Sequence, residues 1–264
     1  MLTSTRSALI SGASSALGLA CTRHLVEAGY AVTITGRGRD QLEATAAHFD
    51  GRVSIAVGEP SSRADTTRIV ADHIDRCGSL DLVIAEAGFC GAAPAAPRSP
   101  EHNAVAASSL LAQILGPALL CRAADQELRA SLGRIILIGG IADRGEAPGS
   151  AESITRHAMA AIIENIRRQY VGSGVLVTVL QPGVNEPDGN GRTDRPMVLS
   201  PEDVGATVRW LLDQTPLDRP VAPMAGTAES ISDANVDASR AWVSSRRRVR
   251  RTSHSSVATR AKAE

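Results

Sequence analysis

Lysine is almost absent from this chain of 264 residues: of 28 basic residues 27 are arginine, and the one lysine is Lys262. Aromatics are scarce as well, with two each of Trp, Tyr and Phe. That excludes the stacking platforms that bind single-stranded nucleic acid, and it leaves the core to Ala, Leu, Ile and Val. Apolar stretches such as residues 135–142 fall far short of the roughly 20 residues a bilayer requires, and no charged segment followed by a long apolar one opens the chain. Membrane insertion is therefore not expected, and the cytoplasm is the expected compartment. Cys21, Cys77, Cys90 and Cys121 show neither CxxC nor Cys/His metal spacing, so they read as separate small core thiols in a reducing compartment, with no metal site.

Net charge is zero but unevenly placed. Residues 240–264 carry +7, which leaves −7 on residues 1–239. An acidic body disfavours a phosphate-backbone partner, so no nucleic acid is expected. The tail run Arg246-Arg247-Arg248-Val249-Arg250-Arg251 lacks aromatics and any apolar helical face, and it reads as a flexible solvated segment. The preference for Arg over Lys, together with abundant Ala, points to a GC-rich bacterial genome.

Short apolar runs bounded by Gly or Asp alternate with longer amphipathic segments, the pattern of repeated βαβ units and a parallel sheet. Strands are predicted at 7–11, 31–35, 53–57, 80–85, 133–138 and 175–180. Helices are predicted at 17–28, 39–49, 63–77, 103–132 and 153–171, and at 201–212 with Ser200 as N-cap and Pro201 in the first helical position. The expected fold is one Rossmann-like α/β domain over residues 1–239, a doubly wound parallel sheet of six or seven strands with helices on both faces. Residues 240–264 have too little apolar content to order themselves.

Between the first strand and first helix lies Ile10-Ser11-Gly12-Ala13-Ser14-Ser15-Ala16-Leu17-Gly18. Glycine permits a tight turn and a close approach to a pyrophosphate, the helix N-terminus offers free N–H groups and the positive end of its dipole, and Ser14 and Ser15 add hydroxyl donors. After the second strand comes Gly36-Arg37-Gly38-Arg39. In the short-chain dehydrogenase/reductase family, which these two turns resemble, an acidic residue there holds a ribose 2′-hydroxyl, whereas Arg37 offers a planar cation to a 2′-phosphate, so the resemblance implies NADP(H).

On these residues the chain resembles the short-chain dehydrogenase/reductase family over roughly residues 5–213. The family's TGxxxGxG loop is matched by Ser11, Gly12 and Gly18, with Leu17 between its last two glycine positions and Ala16 replacing the middle glycine. The resemblance implies an adenine contact at Glu59, where the family has Asp. It also implies a cofactor floor at Ala87-Gly88, the close of the family's NNAG segment, whose two Asn positions here hold Ala85 and Glu86. The family's PG turn, expected to meet nicotinamide through its backbone, is Pro182-Gly183. Association into a homodimer or homotetramer through the fourth and fifth helices, residues 104–120 and 154–166, is also implied.

The family reduces carbonyls with an Asn, Ser, Tyr, Lys relay, because hydride transfer leaves an oxygen whose developing charge needs a proton donor. Those four positions fall at Gln113, Gly140, Ser153 and His157, so all are changed. The two tyrosines, Tyr30 and Tyr170, have no Lys four residues later, so no shift of alignment restores the Tyr/Lys pair. Three readings stay open. The first is an atypical NADPH-dependent reductase of a small carbonyl compound, in which His157, a water or the substrate gives the proton and Ser153, one turn before, bonds the same oxygen. The second is a cyclase, dehydratase or isomerase using Glu86, Asp143, Glu146 or Glu152 on the loops after the strands. The third is a catalytically inactive partner subunit.

Overall fold

The computed structural model describes residues 5–86, 100–139, 151–180 and 200–213. Six parallel strands form one sheet: β1 (Ser7–Ser11), β2 (Ala31–Gly36), β3 (Val53–Val57), β4 (Leu82–Glu86), β5 (Arg134–Ile138) and β6 (Leu176–Leu180). Their order is β3-β2-β1-β4-β5-β6, the doubly wound arrangement in which the chain leaves β1 toward one edge and returns at β4 to build the other. Register pairs Ser11 with Thr35 on one side and with Ala85 on the other, so the C-terminal ends of the three central strands lie level.

Each strand reads apolar on both faces because both faces are covered. Alternate residues Ala8, Ile10, Ile34, Leu82, Ile84 and Ile136 pack under helices α1 (Ala16–Glu27), α2 (Arg39–Ala46) and α7 (Pro201–Asp213). Their neighbours Leu9, Val83, Ala85, Ile135 and Leu137 face α3 (Arg63–Cys77), α4 (Pro100–Ala123), α5 (Asp125–Ser131) and α6 (Ala151–Gln169). The two-residue period thus divides one chain between two cores, each fully buried Leu or Ile contributing about 1.5–3 kcal/mol.

Local chemistry starts the helices where the sequence indicates. Ser15 caps α1 by accepting from the Gly18 N–H at 2.9 Å, and Ser62 caps α3 by accepting from the Asp65 N–H at 3.2 Å. At α7 the cap is reciprocal: Ser200 Oγ accepts from the Asp203 N–H, and Asp203 Oδ2 accepts from the Ser200 N–H. The single helix expected over 103–132 is two helices, however. Ala124, at φ −84° and ψ −2°, ends α4 and caps α5. The turn lets Asp125 reach the Gln169 side-chain amide and Arg129, while Tyr170 donates its hydroxyl to the Cys121 carbonyl at 3.1 Å. Tertiary bonds to the end of α6 outweigh local helix propensity there.

At the opposite end of the sheet from the strand C-termini lies a buried polar cluster. His73 is fully buried, with Nδ1 2.8 Å from Thr33 Oγ1 and Nε2 3.1 Å from Ser7 Oγ. Asp81 Oδ2 accepts from the Ser7 N–H at 2.8 Å. Burial holds the His73 imidazole below its ordinary pKa, in the neutral form that can both donate and accept.

Among the described residues Cys21, Cys77 and Cys121 are free thiols, no His/Cys/Asp/Glu group could hold a metal, and no helix is long and apolar enough to cross a membrane. Cys90 and the expected boundary between 1–239 and 240–264 lie outside the described residues.

Candidate functional site

At the switch point, where β1 lies between β2 and β4, a cavity of about 290 Å³ opens over the strand ends. Its walls include Ser11, Gly12, Ser14 and Ser15 at the β1–α1 turn, Arg37 and Gly38 after β2, Pro60 after β3, Glu86 at the end of β4, and Gln113 and Gly116 of α4. The candidate loop, the candidate cofactor-selecting arginine and the residue at the Asn position are thereby brought to one cavity.

The loop's two glycines are fixed by different demands. Gly12 has φ +79°, a left-handed conformation that turns the chain out of β1. Gly18 has ordinary backbone angles, but a Cβ there would stand 2.5 Å from both Ala13 Cα and the Gly12 carbonyl oxygen. Only a residue without a side chain lets α1 begin this close to the strand it follows. Ala16, in place of the family's middle glycine, is exposed at the first position of α1. Leu17 turns inward and is buried in the core, so it supplies backbone rather than side chain to the loop.

Because α1 starts at Ala16, the N–H groups of Ala16 and Leu17 have no intrahelical acceptor, and the positive end of the helix dipole faces the cavity. Arg37 is exposed on the cavity's far wall. These groups suit an elongated anion with a second phosphate near Arg37.

Glu86 changes the electrostatics of the loop. It was expected among loop acids, but it is the last residue of β4, paired in register with Ile138. The Ser15 hydroxyl donates to its Oε2 at 2.7 Å, and a Cβ on Gly12 would be 2.7 Å from the same oxygen. Among the described residues Oε1 has no hydrogen-bond partner. Burial pushes the Glu86 carboxyl up to about 7, the Ser15 bond drawing it only partly back. The nearby Cys21 thiol is pushed up to about 12, by burial first and then by Glu86 and Glu202.

Glu59, expected at the adenine, lies in the turn between β3 and α3. Its Oε1 accepts from the Ser61 N–H at 3.1 Å and from the Ser61 hydroxyl at 2.7 Å, so it shapes the turn before α3 and does not line the cavity. Its place on the wall is taken by Pro60, which faces Gly116 so closely that a Cβ there would be 3.0 Å from the Pro60 ring. Sequence reasoning missed this contact, although a Gly-Pro pair inside a helix was the available signal. Pro117 also has no N–H to give the Gln113 carbonyl one turn earlier, a local irregularity in α4 beside the cavity.

On α6, His157 is exposed and does not line the cavity; Ser153 and Glu152 lie on the same helix, their side chains outside the described residues. Ala87, Gly88, Gly140, Asp143, Glu146, Pro182 and Gly183 also fall outside them. Neither tyrosine lines the cavity. Tyr30 is buried beneath the Arg6 guanidinium, and burial raises the Tyr170 hydroxyl above its ordinary range.

Cis-4-hydroxycyclohexanecarboxylate dehydrogenase of Sinomonas cyclohexanicum is 30% identical over 212 residues, covering 77% of this chain and 80% of that protein. An alcohol dehydrogenase from Thermococcus sibiricus, solved with 5-hydroxy-NADP, superposes with a TM-score of 0.64 at 22% identity, covering 80% of this chain and 91% of the other. A metagenomic short-chain oxidoreductase solved with NADP gives 0.66 at 20% identity, covering 80% and 92%. The family model described as short chain dehydrogenase matches residues 6–196. With six parallel strands in doubly wound order and that match over most of its length, the chain belongs to the short-chain dehydrogenase family.

Proposed function

We propose that the protein is an NADP(H)-dependent oxidoreductase that reduces a small carbonyl compound without a Tyr/Lys proton relay, acting in the cytoplasm of a bacterium. The observation that carries this reading is the convergence of the β1–α1 loop and Arg37 on one cavity. The residues fit the cofactor: the N–H groups of Ala16 and Leu17 and the hydroxyl of Ser14 would hold the pyrophosphate, and Arg37 the 2′-phosphate. The two structural relatives solved with NADP or a derivative of it agree with that assignment. Ala87-Gly88 and Pro182-Gly183 complete the cofactor contacts in this reading, with Glu59 at the adenine edge if it turns from Ser61.

When bound, NADPH supplies the hydride. The chain's own task is to orient the carbonyl and protonate its oxygen. His157 is the proton donor, Ser153 one turn earlier hydrogen-bonds the same oxygen, and Gln113 orients the substrate from α4. Association pairs α4 and α6 with those of a second copy. Leu111 and Leu115, one turn apart on α4, are 51% and 40% exposed and supply an apolar stripe for that contact.

A cofactor-free partner subunit is the second reading, and the Glu86 carboxylate at the head of the phosphate loop favours it. Calorimetric titration separates the two. Micromolar binding of NADPH, weaker binding of NADH, and an Arg37→Asp variant that loses NADPH far more than NADH support the reductase. Absence of binding of either nucleotide overturns it.

A further inference from the structure

Resting on the cofactor reading above, we infer that Glu86 couples dinucleotide binding to the uptake of one proton: its neutral carboxyl accommodates the pyrophosphate, and its carboxylate repels it. Three observations place Glu86 where such coupling is unavoidable. Its Oε2 is held by the Ser15 hydroxyl at 2.7 Å, its Cβ is 2.9 Å from where a Gly12 Cβ would be, and its side chain lines the cavity together with Ser11, Ser14 and Arg37. A carboxylate here occupies the field at the N-terminus of α1 that an anionic ligand would use, and two anions in one such field repel each other.

The atoms allow a definite bound form. Oε2 continues to accept from Ser15, and the proton resides on Oε1, which has no protein partner among the described residues. From there it is donated to a phosphate oxygen. The repulsive carboxylate becomes one more donor in a loop already made of donors, and Ser15 need not release its bond.

No other described group can take over the proton. On α1 the titratable neighbour is Cys21, whose thiol is held at about 12 and stays neutral throughout the relevant range. Ser11 on β1 and Ile138 on β5 do not titrate. Gln113 on α4 has no titratable group. Glu86 itself, pushed up to about 7, changes its state within the ordinary working range.

NADPH binding is measured calorimetrically from about pH 6 to 9 for wild type and Glu86→Gln, in buffers of differing ionisation enthalpy so that proton uptake is read directly. For wild type the dissociation constant rises about tenfold per pH unit above the Glu86 midpoint, with about one proton taken up per ligand at about pH 8. The Gln variant, which offers an N–H donor and no charge, binds tightly with a flat profile over the same range. The ligand's 2′-phosphate titrates with a midpoint near pH 6 and acts on both proteins alike, so the difference between them isolates Glu86. Circular dichroism and thermal melting verify that the near-isosteric variant is folded, and Glu86→Ala, expected to be equally flat, is the second variant. Binding by Glu86→Gln but not by wild type at about pH 6, where the wild-type carboxyl is mostly neutral, overturns the coupling. Parallel pH profiles for the two proteins overturn it while leaving the cofactor reading intact. Absence of NADPH binding by wild type and both variants at every pH overturns both.

Discussion

The same carboxyl has a consequence for the empty protein that needs no cofactor to observe. Glu86 titrates at about 7 in the folded chain and at its ordinary value of 4.5 once unfolded. Its folded pKa is raised, so its contribution is fully present below about 4.5 and is lost as pH rises through about 7. Above that range the folded state has to carry a carboxylate that burial penalises. The difference of about 2.5 pKa units is worth on the order of 3 kcal/mol, an upper figure because water in the cavity screens part of the charge. Glu86→Gln keeps the shape and can still accept from Ser15, yet it does not titrate. Urea unfolding near pH 5 and near pH 8 is therefore expected to give similar stabilities for both proteins at the lower pH, and a variant more stable by about 2–3 kcal/mol at the higher. An equal difference at the two pH values would refute the argument, because it would mean that Glu86 ionises as freely in the fold as in the open chain.

Other expectations concern separate parts of the molecule. Gly18→Ala places a methyl 2.5 Å from two backbone atoms and should destabilise by about 1–3 kcal/mol or more, read as a lower urea midpoint with the slope unchanged; an unchanged midpoint would contradict the packing described. The folded pKa of His73 is depressed, so its contribution is intact above about pH 6.5 and falls as the unfolded imidazole takes up a proton. In the Glu86→Gln background, where the opposing carboxyl is silent, stability should decline from about pH 7 to 5, and a flat profile would argue against a neutral buried imidazole. His157→Ala should lower turnover about 100-fold with the substrate KM little changed, and undiminished turnover would remove His157 as proton donor. Leu111→Glu with Leu115→Glu should shift the protein to monomer in light scattering, and an unaltered mass would remove α4 from the interface.

Much of the sheet is legible in the sequence because each strand is a short Val/Ile/Leu run and each turn out of it carries Gly, Ser or Asp. The β1–α1 loop is legible because its glycines answer to a turn and to a close approach that hold whatever the rest of the chain does. The break between α4 and α5 is not. Ala124 and Asp125 carry no breaker, and the bend follows from bonds of Asp125 and Arg129 to Gln169 and of Tyr170 to Cys121 that only the folded chain brings together. Glu86 is an intermediate case. Its position after a strand was visible, but its contact with Ser15 spans 71 residues and exists only because β4 pairs with β1. The bonds from Ser61 to Glu59 are local, two residues apart, and so lie within reach of a reading of the sequence.

The strand order also governs when the site can come into being as the chain emerges from the ribosome. Residues 5–77 hold β1, β2 and β3, but in that fragment β1 is an edge strand, paired with β2 on one side only and carrying Leu9 toward a core whose other walls, α4 and α6, have not yet been made. Such an edge is a template for pairing with other chains until residues 82–86 cover it. The β1–α1 loop is thus among the first parts of the protein to be synthesised and among the last to be set, its final shape delivered by a strand from the middle of the sequence.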